Sequence, residues 1–343
     1  MRQLIKWGIP IVGTAAMIAV LFWIYRDLDV GSFGAALKHA NPFWLSLLAF
    51  TILLEQYLRG WKWRQILYDL KPISSFRLCG AIFAGYGAAI LVPLGISPLV
   101  RAYLIARLEN LRMASVLTTS AIERFIDGVV FALIAALVAF GGWIPHIEGD
   151  VRTAIAVAGV VNFIIFSALL WVMFHGRTPL SRDEVWLSRA IDWLSAKAKG
   201  HLDNLRESIR TGIIWPHSRS RQGGVIGAAI LMKAVAASHF LWAGLAVGVV
   251  LDPMDYVFLM VFAGFAMVIG RFIRVPGGFL LGAGFALDQL GVASEPALAM
   301  ILLNYTFTII LMVGVGLVFL WRSGVDIRSH IRTLAGAKDH DTA

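Results

Sequence analysis

The fold is decided by residues 263–290, which read AGFAMVIGRFIRVPGGFLLGAGFALDQL. The stretch is apolar enough for a membrane, but a Pro-Gly-Gly run at 276–278 interrupts it, and Arg271 and Arg274 precede the interruption. In hydrocarbon, backbone N–H and C=O groups need internal partners, so a broken helix is tolerated only inside protein or beside a wet cavity. A charged side chain at the bilayer centre costs at least ~2.5–3.5 kcal/mol. This combination predicts a re-entrant helical hairpin that lines a polar site.

The composition indicates a polytopic membrane protein. Of the 343 residues, 59% are hydrophobic and 15% are charged, and apolar runs recur over nearly the whole chain. The single cysteine, Cys79, excludes an internal disulfide and a Cys-based zinc cluster. The net charge is +9, and the basic residues lie between the apolar runs. The expected anionic partner is therefore the lipid surface and not nucleic acid. The sequence contains no recognisable cofactor-binding or metal-binding motif, and we expect neither a cofactor nor a metal.

Six stretches are long enough to cross a membrane, which takes ~20 apolar residues. They are residues 8–25, 42–58, 116–140, 151–174, 223–250 and 297–321. The first is interpreted as an uncleaved span because it ends in bulky residues, unlike a signal peptide. Two further apolar stretches, 76–105 and 256–290, are interrupted by glycine and proline. The predicted fold class is therefore an all-α integral membrane protein with six full transmembrane helices and two re-entrant hairpins.

Charged residues in the loops predict the orientation. Basic residues flank 76–105 and fill 175–222, whereas the flanks of 256–290 are acidic. The positive-inside rule then places both termini in the cytoplasm and gives the two hairpins opposite topology. Such inverted repeats are the architecture of alternating-access transporters. The alternative, two ordinary spans that contain glycines, stays open.

We predict one transmembrane domain, residues 1–335, and a disordered tail, 336–343. The first repeat runs from about 42 to 174 and the second from about 223 to 321. Between them, residues 175–222 carry one apolar stripe at helical spacing. This segment is predicted to be an amphipathic helix on the cytoplasmic surface, or a helical linker packed under the bundle.

Ionisable residues occur deep inside two predicted spans. Glu123 and Asp127 share a helix face, with Arg124 beside them, roughly 10–17 Å along the helix from residue 116. Three interpretations stay open for these residues: a site for a lipid headgroup, a proton relay, or a structural ion-pair cluster. Lys233 lies at a similar depth, and we expect it to pair with Glu123 or Asp127.

Arginines also flank both interrupted stretches. Arg101 follows the first break as Arg271 and Arg274 precede the second, and arginines near broken helix ends suit a phosphate. For Arg101 the alternative is snorkelling to the interface. The basic and aromatic run at 59–64 is predicted to be an interface anchor. The predicted substrate-binding set is Arg101, Glu123, Arg124, Asp127, Lys233, Arg271, Arg274, Pro276, Gly277 and Gly278.

Together these motifs resemble the lysylphosphatidylglycerol synthase transmembrane-domain family over nearly the whole chain. The carriers are the run at 59–64, the hairpin ending at Arg101, the Glu-Arg-x-x-Asp motif at 123–127 and Pro-Gly-Gly at 276–278. The resemblance implies a bacterial inner-membrane bundle that moves a lipid between leaflets. The aminoacyl-transferring soluble domain of some relatives has no counterpart here, so we expect a stand-alone flippase without enzymatic activity.

Two departures from the family pattern bear on the substrate. The first hairpin usually reads Pro-x-Arg-x-Gly-Glu, and here residues 93–98 are PLGISP. An acid usually follows the second Pro-Gly-Gly, and here Phe279 begins an apolar run. A less charged headgroup is therefore expected, although phospholipid, hopanoid-like and polyprenyl-linked lipids all stay open. The alternative functions are a membrane-embedded transferase acting on a polyprenyl-linked lipid, with Glu123 or Asp127 as its nucleophile or base, and an accessory subunit of an envelope-lipid pathway. A homo-oligomer or a lipid-biosynthesis partner also stays open.

Overall fold

A computed structural model describes residues 30–91, 97–144, 147–175, 215–272 and 277–323 of the chain. In those ranges there are ten helices and no strand: α1 Val30–Lys38, α2 Pro42–Leu67, α3 Ser75–Leu91, α4 Ser97–Glu109, α5 Met113–Phe140, α6 Gly149–His175, α7 Arg219–Ala246, α8 Pro253–Phe272, α9 Gly278–Gln289 and α10 Ser294–Ser323. The predicted first span, most of the segment 175–222 and the predicted tail lie outside the described residues.

Four of these helices are long and apolar enough to cross a membrane, namely α6, α7, α8 and α10. Three of them coincide with predicted spans, whereas α8 belongs to the second predicted hairpin. Two other predicted spans correspond to α2 and α5, and α5 carries three charged residues near its middle, Glu123, Arg124 and Asp127. The chain is a multi-pass membrane protein, and the number of six full spans stays a prediction.

Each interrupted stretch forms two helices that pack on one another, α3 with α4 and α8 with α9. Glycines permit the close approach in both pairs. A Cβ atom on Gly85 would lie 2.8 Å from the carbonyl oxygen of Ser97, and one on Gly278 would lie 2.5 Å from that of Ala266. Gly277 starts α9 with φ 82°, a left-handed conformation that glycine adopts at little cost. The predicted helix breaks are therefore confirmed.

Helix α2 extends nine residues beyond its predicted end at residue 58. It begins after Asn41, whose side chain accepts a hydrogen bond from the backbone N–H of Phe43 at 2.9 Å. The added turns contain the run 59–64, and the side chains of Lys62 and Trp63 in it are fully buried. The predicted interface anchor is thus wrong for these two residues. Both side chains are directed to α5, where Lys62 meets Glu123 and Asp127 and the indole N–H of Trp63 donates a hydrogen bond to the hydroxyl of Thr119 at 3.1 Å.

The buried interior divides into regions of different character. The largest apolar core lies among α2 and α5 to α10 and includes Leu48, Phe258 and Met300. A smaller core joins α2, α3 and α4 around Trp63 and Ile105. We refer to α2–α5 as the first half and to α7–α10 as the second half. The buried charged residues lie beside the smaller core, in the first half.

Candidate functional site

Three charged residues of α2 lie on one helical face, because Glu55, Arg59 and Lys62 are spaced at i, i+4 and i+7. The Arg59 guanidinium contacts the Glu55 carboxylate at 2.7 Å. It also donates a hydrogen bond to the hydroxyl of Tyr86 on α3 at 2.8 Å. This face of α2 therefore links the first hairpin to the interior of the bundle.

Lys62 reaches both carboxylates of α5. Its ammonium lies 3.5 Å from Oε1 of Glu123 and donates a hydrogen bond to Oδ1 of Asp127. The side chains of Lys62 and Glu123 are completely buried. One ammonium can serve both acids because residues at i and i+4 lie one above the other on a helix. Glu123 and Asp127 lie ten and fourteen residues into α5, so this contact is roughly 15–21 Å from its start.

Arg101 of α4 approaches Glu123 from the other side. Its Nη1 atom lies 3.0 Å from Oε2 of Glu123, and Nη2 donates to the carbonyl and hydroxyl oxygens of Ser120. The guanidinium lies 5.0 Å from the ring centre of Trp63, close enough for a cation–π contact. Only 2% of Arg101 is exposed. Snorkelling to the interface is therefore wrong for Arg101, because the close approach of α3 at Gly85 packs α4 into the bundle.

Several buried polar atoms of this region keep unfilled hydrogen-bonding capacity. Both carboxylate oxygens of Glu123 contact cations, yet neither has a hydrogen-bond partner among the described residues. The same holds for the Nε atoms of Arg59 and Arg101. A buried donor or acceptor without a partner costs about 1–3 kcal/mol. Such groups are therefore suited to contact a polar ligand.

Lys233 does not form the predicted pair. Its ammonium lies 5.3 Å from the ring centre of Phe131, and within the described ranges no carboxylate is within ion-pair distance of it. Lys62 occupies the position beside Asp127 that the sequence had suggested for Lys233. The ammonium of Lys233 still interacts at longer range with Asp127 and Glu55.

Arg124 forms no ion pair with an acidic side chain of the described residues. It is half-buried and interacts at longer range with Tyr86, Arg101, Glu123 and Arg59. We name these charged side chains the charge cluster; its members are Glu55, Arg59, Lys62, Arg101, Glu123, Arg124, Asp127 and Lys233. Five are cations and three are anions, so positive charges exceed negative ones by two.

The second predicted hairpin contributes less to the described site. Arg271 belongs to the last turn of α8, but its side chain lies outside the described part of the structure. Arg274 and Pro276 are also outside it. Gly277 and Gly278 are described, and they form the start of α9. The assignment of all five residues to substrate binding stays a prediction.

Sequence reasoning missed Lys62, Tyr86 and Ser120. The signal for Lys62 was present, because its distance from Glu55 and Arg59 places it on their helical face once α2 is extended. Tyr86 and Ser120 carry no such signal, since their roles arise from contacts between helices. Within the described ranges, no three His, Cys, Asp or Glu side chains lie close enough to hold a metal ion.

Comparison with known proteins gives one result that covers the chain. No curated protein and no solved structure matches it. The family model described as the lysylphosphatidylglycerol synthase TM region matches residues 10–334, nearly the full length, and confirms the resemblance seen in the sequence. This match indicates a lipid-related function in a membrane. The chain therefore belongs to the lysylphosphatidylglycerol synthase transmembrane-region family.

Proposed function

We propose that the protein is a lipid transporter, a flippase that moves a lipid with an anionic headgroup between the leaflets of the inner membrane. The charge cluster is the observation that carries this proposal. Eight charged side chains lie among apolar helices, and five of them are cations. Ionisable residues are costly inside a membrane and typically mark the pathway of a polar substrate.

The excess of positive charge favours a phosphate-bearing headgroup. Guanidinium groups bind phosphate oxygens through charge-assisted hydrogen bonds, and the Nε atoms of Arg59 and Arg101 lack partners among the described residues. The oxygens of Glu123 can accept hydrogen bonds from hydroxyl groups of the same headgroup. We therefore favour a phospholipid or a polyprenyl-linked phosphate over a hopanoid-like or neutral glycolipid. This choice replaces the expectation of a less charged headgroup, which rested on the hairpin tips alone.

The membrane arrangement that we propose keeps two re-entrant hairpins in an inverted repeat and both termini in the cytoplasm. The competing arrangement has α8 cross the membrane alone, since it is long and apolar enough. Cysteines at Asp252 and Ser294, before α8 and after α9, distinguish the two when introduced into a Cys79→Ser background. A re-entrant pair predicts labelling of both from the same side of a vesicle by a membrane-impermeant maleimide. Labelling from opposite sides would overturn the hairpin.

Lys233 offers the sharpest test of the function because its removal breaks no ion pair in the described ranges. In proteoliposomes, we expect Lys233→Met to slow the transfer of fluorescent phosphatidylglycerol about tenfold, which corresponds to ~1.4 kcal/mol of lost stabilisation. Dithionite quenching of the outer-leaflet lipid measures the rate. Arg112→Met is the matched control, since Arg112 is an exposed cation before the start of α5.

Three results would contradict the proposal. Equal transfer of phosphatidylglycerol and phosphatidylcholine by the unmodified protein would remove the preference for an anionic headgroup. An unchanged rate in Lys233→Met would remove the cluster from the path. Failure of the folded protein to move any lipid would favour the accessory-subunit hypothesis, whereas a change in lipid mass would favour the transferase hypothesis.

Asp127→Asn separates a proton-coupled mechanism from a structural ion pair. If Asp127 carries a proton during transport, the variant should lose transfer driven by a pH gradient while it stays folded. If the carboxylate serves only to hold Lys62, the variant should lose thermal stability instead. Size-exclusion profiles and thermal unfolding of the same preparation provide the second readout.

A further inference from the structure

A groove of about 590 Å³ lies between α2, α3 and α10. Its volume falls within the range of about 300–1,000 Å³ that is typical of ligand-binding pockets. With one exception, the residues that line the groove are apolar or weakly polar. They include Phe50, Leu53, Phe83, Val315 and Val318. Arg322 is the one charged residue that lines it. The groove is thus amphipathic, with a long apolar surface and a single cation.

The packing of α3 against α10 locates this cation at one end of the groove. A Cβ atom on Gly80 would collide with the ring of Phe319, and one on Gly316 would lie 2.6 Å from the carbonyl oxygen of Phe83. These contacts make the two helices antiparallel, so the start of α3 lies beside the end of α10. From Arg322 to Val315 the groove follows seven residues of α10, which is about 10 Å.

The end that carries Arg322 has the character of a membrane interface. Trp321 beside it is 80% exposed, and exposed tryptophans are enriched where a helix leaves the hydrocarbon. Arg322 forms no ion pair with an acidic side chain of the described residues, and it belongs to the last turn of α10. A free guanidinium at the interface above an apolar groove complements the shape and charge of an amphipathic anion.

We infer that this groove binds one acyl chain of an anionic phospholipid, whose phosphate contacts Arg322. The apolar wall holds the methylene chain, and the guanidinium holds the phosphate through charge-assisted hydrogen bonds. The site is separate from the charge cluster, because none of the cluster's residues lines the groove. The inference concerns binding and does not rest on movement of the lipid across the membrane.

Photo-crosslinking tests the inference in the full-length protein. A phosphatidylglycerol and a phosphatidylcholine, each with a diazirine in the middle of one acyl chain, are irradiated with the protein in vesicles of otherwise identical composition. Peptide mass spectrometry should place the phosphatidylglycerol adducts on the α3 and α10 residues of the groove. Arg322→Gln should lower their yield about tenfold, to the phosphatidylcholine level. Equal adduct yields from the two lipids in the unmodified protein would overturn the assignment.

Two neighbouring residues of α10 provide a matched pair of variants. Val318 and Leu317 are exposed to a similar extent, 52% and 51%, but only Val318 lines the groove. Tryptophan at Val318 should fill the groove and reduce the phosphatidylglycerol adducts, whereas Leu317→Trp should leave them unchanged. Because both side chains face outward, neither substitution disturbs the core. An equal effect of the two substitutions would overturn the inference.

Cys79 allows a measurement that needs no substitution. It is the single cysteine of the chain and lies in the wall of the groove. In detergent micelles, added phosphatidylglycerol should slow its alkylation by an apolar maleimide more than added phosphatidylcholine does. Equal protection by both lipids would show that the net charge of the headgroup does not decide binding and would overturn the assignment to an anionic phospholipid, even if transport of lipid is shown in a separate assay.

Discussion

The first half of the molecule buries ion pairs, whereas the second half stacks aromatic rings that are buried to different extents. In the first half, Lys62 and Arg101 hold Glu123 from two sides. In the second half, the ring of Phe279 stacks on those of Phe240 and Tyr305, each at 5.9 Å between centres. Both halves contain a broken helix pair closed by glycine contacts. Similar backbone organisation therefore supports two different kinds of interior.

This difference indicates a division of roles between the halves. Seven of the eight members of the charge cluster come from α2, α4 and α5, and Lys233 is the exception. The stabilisation from apolar contacts is roughly proportional to the area that they bury and depends little on direction. A buried ion pair, in contrast, requires a specific partner. We therefore expect the first half to respond most strongly to loss of charge and the second half to loss of shape.

The same substitution in the two halves gives the largest expected contrast. Lys62→Met leaves two buried carboxylates without their shared cation, which should lower the free energy of unfolding by about 3–5 kcal/mol. Lys233→Met removes a cation that has no ion pair within the described residues and should cost less than about 1 kcal/mol. Thermal unfolding of the purified variants, followed by circular dichroism, measures both effects.

A second substitution shows whether the loss at Lys62 comes from unpaired charge. Lys62→Met leaves Asp127 without an ion pair among the described residues, whereas Glu123 keeps Arg101. Adding Asp127→Asn removes this unpaired carboxylate, so part of the stability should return. A double variant as unstable as Lys62→Met, or less stable, would mean that packing of the lysine chain and not its charge is responsible.

Glycines that close the two helix pairs give the next largest expected effect. Gly85→Ala in the first half and Gly278→Ala in the second should each cost about 1–3 kcal/mol, because the new Cβ would lie within 3.0 Å of backbone oxygen. Gly314→Ala on α10 is the control, since nothing lies within 4 Å of its Cβ position. Comparable melting temperatures for all three variants would contradict the proposed closure of the helix pairs.

Loss of a ring from the aromatic stack of the second half should lower the stability less than the glycine substitutions do. Phe279→Leu keeps an apolar side chain but loses two ring contacts, and we expect a loss of about 0.5–1.5 kcal/mol. Thermal unfolding again gives the value. A loss as large as that of Lys62→Met would show that the second half depends on specific contacts as much as the first, and the contrast between the halves would fail.

Sequence reasoning predicted what lies within one helix and missed what lies between helices. The pairing of Glu123 and Asp127 on one face follows from helical spacing, and the breaks before Ser97 and Gly278 follow from composition. The cation that pairs with these two acids does not follow from spacing or composition, because Lys62 and Lys233 both belong to helices that approach α5. Which of them reaches Asp127 depends on how α2 and α7 pack against α5, and packing between helices leaves no spacing signal within one helix.

A polar contact joins the end of α2 to the segment that precedes α7, and so connects the two halves outside the apolar region. The Asp69 carboxylate accepts a hydrogen bond from the backbone N–H of His217 at 3.0 Å, and Nδ1 of His217 lies 2.9 Å from the same oxygen. Beside it, the guanidinium of Arg221 lies 3.2 Å from the ring centre of Tyr68. The backbone hydrogen bond from His217 holds the pKa of Asp69 below its ordinary value.

The Asp69 contact should give the smallest effect and a defined dependence on pH. Because the pKa of Asp69 is lower in the folded protein, its charge stabilises the fold above about pH 4, and this contribution disappears as the pH falls through the lowered value. Asp69→Asn keeps an acceptor oxygen but removes the charge, so it should cost less than about 1 kcal/mol at neutral pH. The difference in melting temperature between the variant and the unmodified protein should shrink in increasingly acidic buffer. A difference that stays constant down to about pH 3 would show that the charge of Asp69 does not help to join the two halves.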